Sequence, residues 1–445
     1  MASTASLEEL PFDICTMVLK LLPSKSLFAA IHASPNLRAS SVANSFQLIK
    51  SEVDQKIIPI AVALYHAQSL TWMSNPALLD DISGARYTSE VVTFCKEHLS
   101  NLQSYVFDSK KFTFPMMIHV LNFHQIAQDL AFPLAQEAGK LFRLAIGSNE
   151  WPRFVKCIYI YELARIIVPR RVFEEGNEIL TAWRSFWSSF APWEVAGIEL
   201  LETHIKQVMI LKVKQTLIDR PDFFQLSQFT ISSATTRMLV SSRPTASMLA
   251  PSFKVAVLHC GMKKFHSLQR AAALPLDFIN FKKQLHIKMK LLNMRENLFD
   301  DIYKEHFIWH HSFEIREVLQ IAQRYADETA GPRDLWLWSQ LYHRLRPGSP
   351  LRTMTSQGDA LFFDGDTTHP TAYLRFPPYG WFGCPHMGKY SFLDRDTLER
   401  SRPYPTMNQL IEEAEAMAEA RLVESRESLF EYGQLTIPDG LPSEH

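Results

Sequence analysis

The chain has 445 residues, of which 47% are hydrophobic and 21% charged, and a formal net charge of −1. That length permits roughly two to four folding units, and no global field draws the chain to nucleic acid or to an anionic membrane. Its 15 glycines, about half the usual share, argue against Gly-rich nucleotide loops and against an all-β fold built on tight turns.

Five widely spaced cysteines (Cys15, Cys95, Cys157, Cys260 and Cys384) form no disulfide framework and fit a reducing compartment. The opening MASTASLEEL lacks the basic and apolar regions of a signal peptide. No apolar run approaches the ~18 residues of a membrane span. The expectation is a soluble protein of the cytoplasm or nucleus without a membrane partner.

In chain order, residues 7–46 read as three short helices. Pro11 stands where the first begins, a place that wastes no hydrogen bond, and Asp13 suits its positive end. Leu10, Ile14, Val18 and Leu21/Leu22 recur at helical spacing, with Met17 beside them. Pro23 stops this helix. Ser24 or Ser26 can cap the second, which carries Leu27 and Ile31, and Ser34-Pro35 reads as an N-cap followed by proline at the first helical position. Three helices this short cannot bury much surface alone.

One helix is expected over 47–69, with Ile49, Val53, Ile57, Ala61 and Leu64 on its apolar face. Further helices are expected over 89–103, 114–129, 135–146 and 151–168. Leu180, Trp183, Trp187 and Phe190 make an aromatic stripe in 177–190. The next segment opens Pro192-Trp193-Glu194, and the two should pair as an αα-hairpin. Residues 241–253 look like a linker. Helices resume over 254–272, 277–295, 298–326 and 332–345. Residues 346–406 are rich in proline and glycine and read as irregular, and a last acidic helix runs from Asn408 to about residue 431. The expected fold is mainly α: a three-helix module at 7–46, a multi-helical body in two parts (47–240 and 254–345), and a tail at 346–445.

The run Leu10-Pro11-Phe12-Asp13-Ile14, followed by Val18-Leu19, Leu22, Leu27 and Ile31, resembles the F-box, and in particular the diverged F-box of many filamentous-fungal proteins. The resemblance implies a three-helix segment that docks on a Skp-type adaptor, and through it on a cullin scaffold, to present a client for ubiquitination. Carried over position by position, it implies docking by Leu10, Pro11, Ile14, Val18, Leu19, Leu22 and Leu27. Family members often have a Cys or Ser, a basic residue and a Trp after the second helix; this chain has Ala33-Ser34-Pro35-Asn36-Leu37-Arg38. On this reading the chain is a non-enzymatic substrate receptor that needs no cofactor or metal and acts by proximity. The alternative is a helical scaffold or regulatory protein in which the same segment is only structural.

Other constellations point less sharply. Residues 254–295 carry nine basic side chains against Asp277 alone, a net +8, whereas 408–433 carry seven Glu and two Arg, a net −5. The basic stretch reads chiefly as a solvated or self-paired face, next as a client surface, and least as a nucleic-acid surface. His306, His310 and Glu314 share one expected helix face, but Phe307 stands where the zincin motif needs Glu. The loop Asp364-Gly365-Asp366-Thr367-Thr368-His369, with Cys384 and His386, matches no calcium loop. Packing histidines and a turn-rich loop are the expected readings of these two. No P-loop, dinucleotide fingerprint, HExxH or GxSxG motif occurs.

Overall fold

The structure is a computed structural model. It describes residues 10–22, 24–74, 83–100, 102, 108–142, 150–167, 177–219, 260–272, 274–275, 315–324, 337, 341, 411–417, 419–420 and 423. Among these there are helices and turns and no strand, so the mainly α expectation holds. The chain divides into two compact units, Met1–Trp309 and His310–His445.

The first unit opens with four short helices: Phe12–Leu21 (α1), Ser24–Ala33 (α2), Pro35–Ala43 (α3) and Ser45–Glu52 (α4). α1 and α2 both lie on α3. Between them they bury Cys15, Leu19, Leu27, Ile31 and Leu37. Ser34 caps α3 by accepting from the Leu37 N–H, with Pro35 at the first helical position, as the sequence led us to expect. A polar clasp adds direction to this contact. The Thr16 and Ser40 hydroxyls meet at 2.7 Å, and Asn44 Nδ2 donates to Thr16 Oγ1 at 3.1 Å.

The single helix expected over 47–69 is two, α4 and Ile58–Ala67 (α5). The break is made by Asp54. Its carboxylate accepts from the Lys56 N–H at 2.8 Å and its carbonyl from the Ile57 N–H at 2.9 Å, a local turn that competes with the helical ladder. Ile49, Val53, Ile57, Ala61 and Leu64 are all buried nonetheless. After Thr71–Ser74 (α6) and Gly84–Phe94 (α7), one π-helical turn spans Cys95–Leu99.

Phe114–Phe142 (α8) is one helix where two were expected. Pro133 lies inside it, although proline removes a donor and crowds the preceding turn. Leu130, Ala131, Leu134 and Ala135 are buried on either side of it, so packing carries the helix through.

Trp151–Ile167 (α9) is the centre of the unit. Apart from Trp151, Arg153 and Arg165, every residue in it is buried, as befits a helix that is apolar nearly all round. It is covered by α5, by α8, by Pro192–Asp219 (α11) and by Gly261–Arg270 (α12). Its buried charges are matched. Lys156 pairs with Glu194. Glu162 takes Arg165 at 2.6 Å and accepts from the Met262 N–H at 2.9 Å. At Gly261 (φ +76°) a Cβ would stand 3.3 Å from the Arg165 guanidinium, so both the backbone conformation and the close approach require glycine.

Asn177–Trp187 (α10) and α11 do not pair chiefly with each other. α10 packs on α7 and α11 on α9. The stripe of α10, with Trp183, Phe186 and Trp187 buried, is fastened to α7 by a hydrogen bond from Trp183 Nε1 to the Tyr87 hydroxyl at 3.2 Å. That bond and the burial of three aromatics outweigh the short connection that favoured a hairpin.

In the second unit, Ile315–Arg324 (α13) turns Ile315, Val318 and Ala322 inward, and 411–417 is helical. The linker at 241–253, the helix expected at 277–295 and the irregular stretch at 346–406 lie outside the described residues.

Candidate functional site

α1 has two faces. At about 100° per residue, Cys15, Leu19 and Thr16 point together toward α3, where the first two are buried and the third joins the clasp. Ile14, Met17, Val18 and Leu21 fall within about 100° of one another on the other side. There Ile14 is 42% exposed, Met17 60% and Leu21 82%, with Val18 half-buried among them. Phe12, at 48% exposure, lies at the entrance to the helix. Asp13 and Lys20, both exposed, edge the stripe. Three partly exposed apolar side chains thus share the outer side of a short helix, with Asp13 and Lys20 along one edge.

The structure sorts the seven residues implied by the resemblance into three groups. Pro11 and Ile14 are exposed, and Pro11 is the N-cap of α1. Leu10, Val18 and Leu22 are half-buried. Leu19 and Leu27, each 1% exposed, belong to the core of the chain itself, so no partner reaches them in this conformation. The sequence reading did not single out Phe12, Met17 and Leu21 for docking. The helical period contained the signal for Met17 and Leu21, because it puts them on the Ile14 side and Leu19 opposite.

Cys15, Cys95 and Cys157 are buried and Cys260 is half-buried, all as free thiols. Burial pushes Cys95 and Cys260 up to about 12 and Cys157 higher still, so none of these three supplies a thiolate at neutral pH. His66 and His98 stack face to face, ring centroids 4.2 Å apart at 12°. Burial lowers both pKa values, and the His98 charge lowers that of His66 further. Tyr65 lies edge-on to His119 nearby. Among the described residues no three His, Cys, Asp or Glu gather as metal ligands. His306, His310, Glu314, the 364–369 loop, Cys384 and His386 lie outside the described residues. No described helix is long and apolar enough to cross a membrane.

Compared with protein-family models, curated proteins and solved structures, the chain finds no match.

Proposed function

We propose that the chain is a protein-interaction subunit whose first helix docks on a Skp-type adaptor, placing the helical body as a receptor for a client of a cullin-based ubiquitin ligase. The observation that supports the reading is the outward stripe Ile14, Met17 and Leu21 on a helix whose other face is already committed to α3. It is joined by the likeness of Leu10-Pro11-Phe12-Asp13-Ile14 to the opening of an F-box.

Magnitudes limit the contact. Covering the exposed parts of Ile14, Met17 and Leu21 contributes roughly 1–2 kcal/mol each. Association costs about 4–15 kcal/mol, so the stripe alone does not hold a partner. Phe12, 48% exposed at one end of α1, extends the apolar area. Affinity then depends on several side chains acting together, and loss of two central ones abolishes it.

Co-purification of the full chain with a Skp-type adaptor tests the proposal, with Met17→Glu/Leu21→Glu as the comparison. Both positions face outward, so the variant keeps its melting temperature. The wild type retains the adaptor and the variant releases it. A wild type that retains none removes the adaptor reading and leaves the scaffold reading, which the Thr16–Ser40–Asn44 clasp favours by giving α1 a structural task of its own.

A further inference from the structure

A second surface lies away from α1, in a groove of about 610 Å³ between α8 and α12 that opens beside the start of α9. Its centre is Asp129 of α8. This carboxylate accepts from Gln125 Nε2 at 3.1 Å and from His266 Nε2 at 2.9 Å, and Arg270 Nη1 stands 4.0 Å away. The acid is therefore satisfied within the chain. It positions the His266 ring and draws the Arg270 guanidinium toward the groove.

The remaining lining is of two kinds. Gln128 and Gln269, both half-buried, carry amides that donate and accept on the same group. Phe132 is 56% exposed and Trp151 is half-buried, an aromatic pair lining a groove that is otherwise polar. Arg270 is 67% exposed at its side chain, and Lys263, two turns earlier on the same side of α12, is exposed as well. α12 contains no acid.

We propose that this groove binds an extended peptide segment of a partner protein, one that carries an apolar or aromatic side chain close to an anionic one. An extended backbone presents a donor and an acceptor at nearly every residue, and side-chain amides answer both. The aromatic pair takes the apolar side chain, since exposed aromatics in a concave site are typical anchors. Arg270 takes the anion, because its guanidinium is 67% exposed at the groove while Asp129 already accepts from Gln125 and His266. A neutral oligosaccharide would suit the amides and aromatics but would leave the Arg270 guanidinium unused, so an acidic peptide fits the whole surface better. The anion is a carboxylate or a phosphorylated hydroxyl, the chemistry an exposed guanidinium recognises in either form. This inference is independent of the adaptor reading, because none of its residues belongs to α1.

The test is an array of short synthetic peptides probed with the full purified chain. One array position is Leu, Phe, Trp or Ser, and the neighbouring position is Glu, phosphoserine, Ser or Lys. The expected result is retention of peptides that pair an apolar residue with Glu or phosphoserine. The stronger of those two identifies the source of the anion. Arg270→Glu weakens these peptides by about tenfold or more and favours the Lys series, while Phe132→Ala erases the preference at the apolar position. Both residues are exposed, so both variants fold, and unchanged melting curves check this. Gln128→Ala weakens all retained peptides alike. The proposal is overturned if the wild type retains no peptide, or if Arg270→Glu and Phe132→Ala retain the same peptides as strongly as the wild type. Binding of neutral oligosaccharides that is lost in Trp151→Ala would overturn it in favour of a carbohydrate. Adaptor retention, measured on the same variants, stays at the wild-type level and keeps the two proposals separable.

Discussion

The Tyr87 hydroxyl donates to the carbonyl of Ile167 at 2.8 Å while accepting from Trp183 Nε1 at 3.2 Å. One oxygen thus joins α7, the end of α9 and α10. A helix end leaves its last carbonyls without partners, and α9 ends inside the protein, away from water. Trp72 answers the neighbouring carbonyl, with Nε1 donating to Ile166 at 2.9 Å. The C-terminus of the central helix is thus closed by two aromatic side chains from earlier in the chain.

Tyr87→Phe keeps the ring and removes the hydroxyl, leaving a buried carbonyl and a buried indole N–H each short of this partner. The expected loss is about 2–4 kcal/mol, since an orphaned buried polar group costs about 1–3 kcal/mol. Urea unfolding followed by tryptophan fluorescence reads it directly. A change below half a kcal/mol would mean that water or a neighbour takes over the role.

Glu194 works twice. As the third residue of α11 it reaches back to the Ala191 N–H at 3.0 Å, half of a capping box. It also pairs with Lys156 in the core. Glu194→Ala removes both contacts and deprives a buried ammonium of its carboxylate, for an expected loss of about 3–5 kcal/mol. Lys156→Met/Glu194→Gln recovers much of that loss, because the buried charge goes with its partner. A double variant less stable than Glu194→Ala would contradict this account.

Stability falls in acid through histidines held neutral. His124 is buried, and burial brings its pKa down to about 4 despite the opposing charge of Asp54. The Tyr159 hydroxyl, kept protonated by its own burial, shares a hydrogen bond with His124 Nδ1 at 3.3 Å. In the unfolded chain this histidine takes its proton near pH 6.5, so the unfolded state binds more protons between about 6.5 and 4. Its contribution is complete above pH 6.5 and declines as pH falls toward 4, by about 3 kcal/mol. His66, His98 and His119 are shifted the same way. Unfolding midpoints measured from pH 7 to 5 should fall, and His124→Gln should flatten the trend. An equal slope in the variant would assign the effect elsewhere.

The two faces of α1 should separate cleanly. Leu19→Ala opens the core between α1 and α3 and costs about 2–5 kcal/mol. Leu21→Glu, on an 82% exposed side chain, changes stability by less than about 0.5 kcal/mol and weakens adaptor capture. The pair of measurements, a melting curve and a capture assay, should show opposite patterns for the two variants.

Much of this architecture is legible in the chain because it rests on local chemistry. Ser34 before Pro35 marks the start of α3 without tertiary help, and the stripe of Trp183 and Trp187 announces a buried face. What escaped was either masked by a continuous apolar period or set by distant partners. The period of Ile49, Val53 and Ile57 runs through the Asp54 turn, so it conceals the break between α4 and α5. Pro133 falls in the gap between the helices expected at 114–129 and 135–146, because packing on both sides of it is invisible locally. α10 pairs with α7 through Tyr87, 96 positions from Trp183, and no local pattern encodes that choice. On α1 the docking candidates were taken by resemblance. Which side of the helix faces α3 follows from the Thr16 clasp, whose partners lie 24 and 28 residues further on.

The closure of α9 also sets an order of events during synthesis. Trp72 and Tyr87 precede their carbonyl partners by 94 and 80 residues. At about 5–20 residues per second, roughly 4–19 s pass between the addition of each aromatic residue and that of its carbonyl partner. During that interval two of the largest aromatic side chains of the nascent chain stand unsheltered. A growing chain that has not reached residue 167 therefore lacks the two carbonyls on which these side chains close, and the end of the central helix is sealed only after Ile166 and Ile167 have been added.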